Sequence, residues 1–290
     1  MKIKVKLESA KTKSQSTAKV IDAVLSNLIV VVIVAIWLIP VIWIVLSGFS
    51  TQKSFNSSTF FPTGYTLDNF VRLFTETDFP KWLLNTVLIA IVNCVLSTFF
   101  TVLTAYVLSR FRFRMRKIYM NICLILGMFP GFMAMIAVIF MLNQINLIDS
   151  VWGLLVYYVC GAGLGFFVAK GYFDTISLDI DEAARLDGAS HLRVFFKIFL
   201  PLAKPIIIYM ALLAFMAPWA DYILAGIVLT SDSSKTVAVG LYGWMDVTNI
   251  NSKFTLFAAG SVVVAVPIVA LYLSLQRFFV EGISAGAVKG

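Results

Sequence analysis

Charged side chains are scarce in this 290-residue chain, and their shortage limits what kind of protein it can be. Asp, Glu, Lys and Arg make up 13% of the residues, whereas about 25% is usual in a soluble domain. Hydrophobic residues make up 60%, and the mean hydropathy is +0.92. The composition excludes an ordinary soluble domain and indicates a chain embedded in a membrane.

Residues that carry out chemistry are also few. The chain has one histidine, His191, and its three cysteines, Cys94, Cys123 and Cys160, lie in apolar runs, which is typical of buried thiols. The sequence shows no paired carboxylates, metal-ligand cluster or nucleophile with its base. It also lacks the Gly-x-x-x-x-Gly-Lys-Ser/Thr phosphate loop. We therefore predict no enzyme, no ATPase site and no cofactor.

Six apolar stretches are each long enough for a spanning helix, which needs about 20 residues. They cover 23–52, 82–109, 118–148, 150–169, 205–232 and 254–276. Lipid offers no partner to free backbone groups, and the runs lack the alternation of a membrane barrel. The sequence therefore predicts an all-α membrane protein with six transmembrane helices.

The basic residues predict the orientation of these helices. The formal net charge is +8, but Lys and Arg cluster at the ends of the apolar runs and form no basic face for nucleic acid. Of the 23 basic residues, 18 fall on alternate sides that include both termini. Because cytoplasmic segments carry the excess of Lys and Arg, we expect both termini and the loop after the fourth span in the cytoplasm.

Three parts of the chain follow from this topology. Residues 1–20 contain six lysines, and the apolar run after them is too long for a signal peptide, so we expect a mobile cytoplasmic tail before an uncleaved span. Residues 21–280 form the membrane domain, and 281–290 form a second cytoplasmic tail. Within the membrane domain, residues 174–201 make a charged loop between the fourth and fifth spans.

The charged loop has the pattern of helix, turn, helix. Asp179 can cap the first helix, with Glu182 three residues later completing a capping box. Gly188 is suited to ending that helix, and Ser190 can cap the second one.

The second helix of the charged loop has a predicted apolar face at helical spacing. Its members are Leu192, Phe195, Phe196 and Phe199.

Spacing alone leaves two interpretations of the charged loop open. It can be a solvated loop tied down by its own second helix, or a rigid knob that fits a groove on a partner. The small Ala183 and Ala184 would allow close approach, Gly188 a tight turn, and Glu182 and Asp187 charge for partner Arg or Lys.

Four residues inside the apolar runs are candidates for the transport pathway or for contacts between helices. An acid within a span, Asp221, is a functional-site candidate by default, or else it accepts hydrogen bonds that tie two spans together. Phe132 and Met133 follow Pro130, which can kink the third span, and Trp219 lies just before Asp221. Aromatic faces stack on sugars, but aromatic residues in spans more commonly meet lipid or neighbouring helices.

The motif of the charged loop resembles a known family. Glu182-Ala183-Ala184, Gly188, Ile198 and Leu200-Pro201 are similar to the motif by which permease subunits of ATP-binding-cassette importers grip their ATPases. Further segments are similar to the carbohydrate-uptake branch, and the C-terminus to the smaller permease of maltose and maltodextrin importers. These segments are Lys170-Gly171-Tyr172-Phe173, Trp219-Ala220-Asp221-Tyr222, Gln276-Arg277, Gly282, Ala285-Gly286 and Val288-Lys289-Gly290.

The resemblance implies a multi-pass protein of the bacterial cell membrane that imports a sugar, with maltodextrin as the first expectation. It implies four kinds of partner besides membrane lipid: a second homologous permease, two ATPase subunits, an extracytoplasmic sugar-binding protein and the sugar. Glu182, Ala183, Ala184, Asp187 and Gly188 would then contact the ATPase as its coupling loop.

The resemblance also implies that the C-terminal tail, including Gly286, Lys289 and Gly290, threads between the ATPases as a thin strand. An importer of another oligosaccharide, a stand-alone secondary transporter and a membrane enzyme remain alternatives.

Overall fold

The regular structure of the chain is helical. The computed structural model describes residues 2–52, 59–162, 164–246, 248 and 250–287, with side chains outside 2–21, 132 and 277–287. In that part of the chain the β contact is an isolated antiparallel bridge between Ser50 and Tyr65. The prediction of an all-α chain is confirmed.

The helices follow one another with short connections. In chain order they are α1 Lys2–Gly48, α2 Asp68–Thr75, α3 Phe79–Arg110, α4 Arg116–Gly127, α5 Gly131–Gln144, α6 Val151–Ala162, α7 Phe166–Phe173, α8 Leu178–Leu186, α9 His191–Val194, α10 Leu200–Leu202, α11 Lys204–Ala220, α12 Ile223–Val228, α13 Val237–Gly243 and α14 Ile250–Ala287. A π-helical turn, Phe195–Phe199, joins α9 to α10.

Four helices in the described residues are long and apolar enough to cross a membrane. They are Asp22–Gly48, Phe79–Arg110, Val151–Phe173 and Ile250–Gln276. A bent pair, His191–Leu202 with Lys204–Ala220, turns through 82° and adds a fifth if it is taken as one span. The described helices thus give four to five candidate spans, and the six that the sequence predicted stay a prediction.

The third predicted span is divided into two helices. α4 ends at Gly127 and α5 begins at Gly131, with Pro130 between them at φ −58° and ψ 121°. Proline has no N–H, and its ring disfavours helical backbone in the preceding residue. The halves have 12 and 14 residues, each shorter than a single crossing. The sequence indicated that Pro130 can kink this span, and the structure has a break between two helices there.

The two terminal segments are helical as far as they are described. α1 begins at Lys2, and α14 continues to Ala287. The sequence predicted a mobile tail over 1–20 and a thin strand after Gln276; the described backbone is helical in both segments, and the mobility of the first and the contacts of the second stay predictions. α14 has 38 residues, a length of about 57 Å at 1.5 Å per residue. It is therefore longer than the hydrocarbon core, which is about 30 Å thick.

α3 lies at the centre of the fold and packs against α6, α7, α11 and α13. One apolar cluster surrounds its C-terminal half and includes Tyr106, Phe173 and Phe199. A second cluster, with Phe79 and Trp219, surrounds its N-terminal end. By contrast, α1 packs mainly against α14 and leaves most of its apolar side chains from Val24 to Val45 exposed.

The N-terminal end of α3 is hydrogen-bonded to the segment that precedes α13. Nε1 of Trp82 donates to the carbonyl of Asp232 at 2.7 Å. Nδ2 of Asn85 donates to the carbonyls of Ser233 and Lys235 at 2.9 and 3.0 Å. The N–H of Val237 in turn donates to the buried hydroxyl of Thr86 at 2.9 Å. These side-chain bonds hold residues 232–237 to the first turns of α3.

A second set of hydrogen bonds, which we call the latch, joins the turn before α6 to the segment after α12. Asp149, at φ 58°, accepts from the N–H groups of Thr230 and Ser231, both at 2.9 Å, and from the hydroxyl of Ser234. The bond from Ser234, followed by those from the two backbone groups, holds the pKa of Asp149 well below its usual range. The ionised carboxylate therefore stabilises this latch.

Candidate functional site

The first helix of the charged loop begins earlier than its sequence predicts. Ser177 has extended backbone, and its Oγ accepts from the N–H of Asp179 at 3.2 Å. The predicted capping box of Asp179 and Glu182 is wrong, because Asp179 is already inside the helix. Serine favours the cap position since its short side chain reaches an unsatisfied N–H of the first turn.

The turn after α8 depends on a left-handed glycine. Gly188 has φ +82°, and two backbone bonds close the turn. The N–H of Gly188 donates to the carbonyl of Arg185, and that of Ala189 to the carbonyl of Ala184, both at 3.0 Å. This is the Schellman arrangement that ends many helices. The predicted role of Gly188 as a helix terminator is confirmed.

The second helix of the charged loop is capped as expected but packs differently. Oγ of Ser190 accepts from the N–H of Arg193 at 3.4 Å, which confirms the predicted cap. Phe195 and Phe199 are buried, whereas Leu192 and Phe196 are exposed. The π-helical turn widens the helix here, so four residues at α-helical spacing no longer share one face.

α8 projects from the fold, with each of its residues at least partly accessible. Glu182 and Ala183 are exposed, Ala184 is half-buried, and Leu186 is 90% exposed. Asp187 and Gly188 extend the exposed surface through the turn. A helix of nine residues is marginal in water by itself, so neighbouring contacts must hold it in place.

A buried ion pair fastens α8 to the end of α3. Nε of Arg110 lies 2.8 Å from Oδ2 of Asp181, and their side chains are 5% and 15% exposed. The guanidinium also donates from Nη2 to the carbonyl of Ile176 at 3.0 Å and lies 4.9 Å from the ring centroid of Phe199. Sequence reasoning missed this contact, because Arg110 is one of several basic residues after the second apolar run.

Adjacent residues hold the start of the charged loop. Oγ of Ser109 donates to Oδ1 of Asp174 at 2.7 Å, and Lys170 pairs with the other oxygen of Asp174. Burial raises the pKa of Asp174, but the hydrogen bonds from Lys170 and Ser109 and the charges of Lys170 and Arg116 outweigh it and lower the pKa overall. The ionised form of Asp174 is therefore favoured.

Aromatic rings also pack between the charged loop and its neighbouring helices. The ring of Tyr106 lies 4.6 Å from that of Phe195 and 4.8 Å from that of Phe199, measured between centroids. Phe173 meets Phe199 edge-on at 4.7 Å. The loop therefore rests on the C-terminal end of α3 through its second helix and leaves the outer surface of α8 free.

Asp221 lies at the break between α11 and α12 and ties helices together. Its Oδ2 accepts from the hydroxyl of Tyr158 on α6 at 2.8 Å, and its Oδ1 accepts from the N–H of Leu224 at 3.1 Å. The second bond satisfies an N–H at the start of α12. This geometry favours the structural interpretation of the acid over an ion-binding one.

The other candidates within the apolar runs are not brought together. Trp219 is buried in the cluster near the start of α3, while Met133 is 66% exposed on α5. The side chain of Phe132 lies outside the described residues. In the tail, Gly286 falls in the last turn of α14, and Lys289 and Gly290 lie outside the described residues.

A polar face of α3 escaped sequence reasoning. Nδ2 of Asn93 donates to the carbonyl of Ala214 on α11 at 2.6 Å, and Thr101 donates to the carbonyl of Ala162 on α6 at 3.1 Å. These residues line a cavity of about 310 Å³. Their spacing of eight residues, with Ser97 halfway between them, is the signal that could have revealed this face.

The fold defines the class of protein. A chain in the crystal structure of a bacterial ABC transporter involved in the import of the acidic polysaccharide alginate matches it with a TM-score of 0.78 and 25% identity. The match covers 89% of this chain and 96% of that chain. Together with the membrane-length apolar helices, it defines a multi-pass permease subunit of an ABC transporter.

The sequence defines the family. Residues 97–284 match the family described as binding-protein-dependent transport system inner membrane component, and the chain belongs to that family. It is 38% identical to the maltodextrin transport system permease protein MdxG of Bacillus subtilis (strain 168), over 95% of this chain and 99% of MdxG. It is 33% identical to the galactooligosaccharides transport system permease protein GanQ of the same organism, over 91% of this chain and 95% of GanQ.

The predicted resemblance to permeases of carbohydrate importers is confirmed. A family of inner membrane transport components also places this chain in a bacterial membrane. The relatives are permease subunits, so ATP hydrolysis belongs to separate subunits.

Proposed function

We propose that the chain is a permease subunit of an ATP-driven importer of maltodextrins. The observation that carries the proposal is the 38% identity to a maltodextrin permease over 95% of this chain. The partners would be a second, homologous permease, two ATPase subunits and an extracytoplasmic sugar-binding protein. The two permeases together would enclose the pathway for the sugar, and neither would carry out chemistry.

The exposed face of the charged loop supports a docking role. Its predicted ATPase contacts, Glu182, Ala183, Asp187 and Gly188, are exposed, and Ala184 is half-buried. Small residues allow a groove to close around α8, and the two carboxylates would meet basic side chains of the ATPase. ATP-driven closure of the ATPase dimer would move α8, and the attached helices would turn the pathway outward to accept sugar. Hydrolysis would return it inward.

We further propose six spans with both termini in the cytoplasm. The distribution of basic residues supports this topology. Contacts between distant segments agree with it, because Arg110 meets Asp181 and Trp82 meets Asp232, and the charge rule assigns each pair to one side. The third span would then consist of α4 and α5 with the break at Pro130 inside the membrane, where neighbouring helices, side chains or water must satisfy the freed backbone groups.

Another oligosaccharide is the second candidate substrate, since GanQ is 33% identical over 91% of this chain. A secondary transporter is less well supported: such proteins need ion or proton sites near the middle of the membrane, and both oxygens of Asp221 already accept hydrogen bonds.

Uptake by the source cell tests the proposed substrate. Deleting the gene should abolish uptake of labelled maltotriose while glucose uptake continues, and the intact gene should restore it. The same cells should take up labelled galacto-oligosaccharide at an unchanged rate. Loss of galacto-oligosaccharide uptake with maltotriose uptake intact would assign the second substrate, and loss of neither would refute both proposed substrates.

A further inference from the structure

Arg110 occupies a position that an ordinary surface arginine does not. Its side chain is 5% exposed, although it lies at the end of α3 beside a solvent-exposed loop. Asp181, its partner, is 15% exposed on a helix whose Glu182 and Arg185 are exposed. Exposed ion pairs contribute little to stability, whereas removing one member of a buried pair leaves the other charge uncompensated.

One guanidinium reaches three parts of the charged loop. It pairs with Asp181 in α8, donates to the carbonyl of Ile176 before α8, and lies over the ring of Phe199 after α9. The planar group with its five N–H donors can make these contacts together. The compact ammonium of a lysine can supply charge but neither the fork nor the stacking face. The position therefore favours arginine over lysine.

The carboxylate of Asp181 depends on this contact. Within the described residues neither its Oδ1 nor the Nε of Arg110 has a hydrogen-bond partner, and the charge of the carboxylate is compensated by the ion pair with Arg110. Arg185, one helical turn further along α8, is exposed. Loss of Arg110 would leave a mostly buried carboxylate without its counter-charge, and α8 would have to move to expose it to water.

α3 connects this contact to the opposite end of the fold. It has 32 residues, a length of about 48 Å. Its far end holds the segment 232–237 through Trp82, Asn85 and Thr86. A movement of α8 that displaces Arg110 would therefore also move α3 and, through these hydrogen bonds, residues 232–237.

We propose that Arg110 is a positioning residue for transport, and that its contact with Asp181 makes α8 and α3 move together. The inference rests on the proposed docking of α8 on an ATPase subunit. Without the contact, α8 would still dock, but its motion would be taken up in the charged loop. ATP would then be hydrolysed without a matching movement of sugar.

The test uses the whole transporter, reconstituted in liposomes with its partner permease, ATPases and sugar-binding protein. The variants are Arg110→Gln, Arg110→Lys, Asp181→Asn and the exchange of Arg110→Asp with Asp181→Arg. Arg112→Gln is the matched control, because it removes the same charge from an exposed site two residues away. Co-purified ATPase, ATP hydrolysis and labelled maltotriose uptake are measured on the same preparations.

We expect Arg110→Gln and Asp181→Asn to retain the ATPase subunits and hydrolyse ATP, while sugar moved per ATP falls about tenfold, since each leaves a buried charge unpaired. Arg110→Lys should lie between these variants and wild type. The exchange should recover part of the lost coupling, and Arg112→Gln should match wild type.

Two results would overturn the inference. One is a ratio of sugar to ATP in Arg110→Gln equal to that of wild type. The other is loss of ATPase subunits in proportion to transport, with normal coupling in the complexes that remain, which would mean that Arg110 serves folding alone. The wild-type complex tests the proposed function separately: if it neither retains ATPase subunits nor moves sugar, the proposed function fails whatever the variants do.

Discussion

The turn at Gly188 can be tested by adding a side chain. A Cβ at this position would meet no atom within 4 Å, so the obstacle to substitution is the backbone, which has φ +82°. A left-handed conformation costs an L-residue about 1–2 kcal/mol, and more for a β-branched one. We expect Gly188→Val to reach the membrane but to lose several-fold of its sugar uptake, because the strain would shift the turn away from the conformation that presents α8.

Gly171 provides the control for this change. A Cβ there also meets open space, and its φ lies outside the left-handed region. Gly171→Val should therefore transport like wild type. Normal sugar uptake by Gly188→Val would show that the geometry of the turn does not matter for coupling.

The lowered pKa of Asp149 predicts that the stability of the folded protein depends on pH. Its pKa is lowered in the folded protein by the hydrogen bonds from Ser234 and from the backbone of Ser231 and Thr230. Stability from a lowered carboxyl pKa is complete above the unfolded value of about 3.9 and is lost as the pH falls through the folded value. Asp149→Asn should therefore be less stable at pH 7 by about 1 kcal/mol, and the difference should shrink below about pH 4.

Thermal unfolding of the detergent-solubilised protein between pH 7 and pH 3 measures this difference. Asp68→Asn, at an exposed acid in the first turn of α2, removes a charge outside the latch and should not reproduce the trend. A difference between wild type and Asp149→Asn that stays constant with pH would show that ionised Asp149 does not stabilise the latch.

At the scale of single elements, the helical end of α14 changes the form that we expect for the C-terminal tail. Gly286 falls in the last helical turn, so we now expect this part of the tail to approach the ATPases as a helix. Deleting 284–290 should leave the complex assembled, because α8 is untouched, and should lower sugar-stimulated ATP hydrolysis and uptake by several-fold. ATPase assays on the purified complex measure this, and full uptake by the truncated protein would mean that the tail has no role.

Elements also show where sequence reasoning succeeded. The continuous apolar run of α3 and the turn at Gly188 were predictable, because each depends on residues close together in sequence: an uninterrupted hydrophobic stretch and the one residue type suited to positive φ. Sequence also predicted the Ser190 cap. Such local patterns predict a helix or its end well when no neighbouring residue is equally suited to the same cap or turn position.

The failures have specific physical causes. Ser177 and Asp179 are both good helix caps, and the local pattern alone did not decide between them. Pro130 was recognised as a site for a kink, but proline can either kink or break a helix, and the apolar composition of the run did not decide between the two. The contact between Arg110 and Asp181 joins residues 71 positions apart. Sequence spacing does not report such contacts, because they depend on how α3 and the charged loop pack.

At the scale of the whole molecule, the side of the membrane on which each segment lies can be tested by labelling. In a background without Cys94, Cys123 and Cys160, a cysteine at Tyr65 should react with an impermeant thiol reagent in intact cells, and one at Arg114 should react only after lysis. Tyr65 is 62% exposed. The reverse pattern would invert the topology and place the charged loop outside.

The composition of α3 has a mechanical consequence for the molecule. Its one proline, Pro80, falls in the first turn, and it has no glycine, so it lacks the usual sites of bending. α1, α11 and α14 carry interior prolines at 40, 218 and 267. We therefore expect α3 to move as a rigid helix and the helices around it to bend at these prolines. Changes in the width of the proposed pathway should come from this bending, while α3 keeps its length and shape.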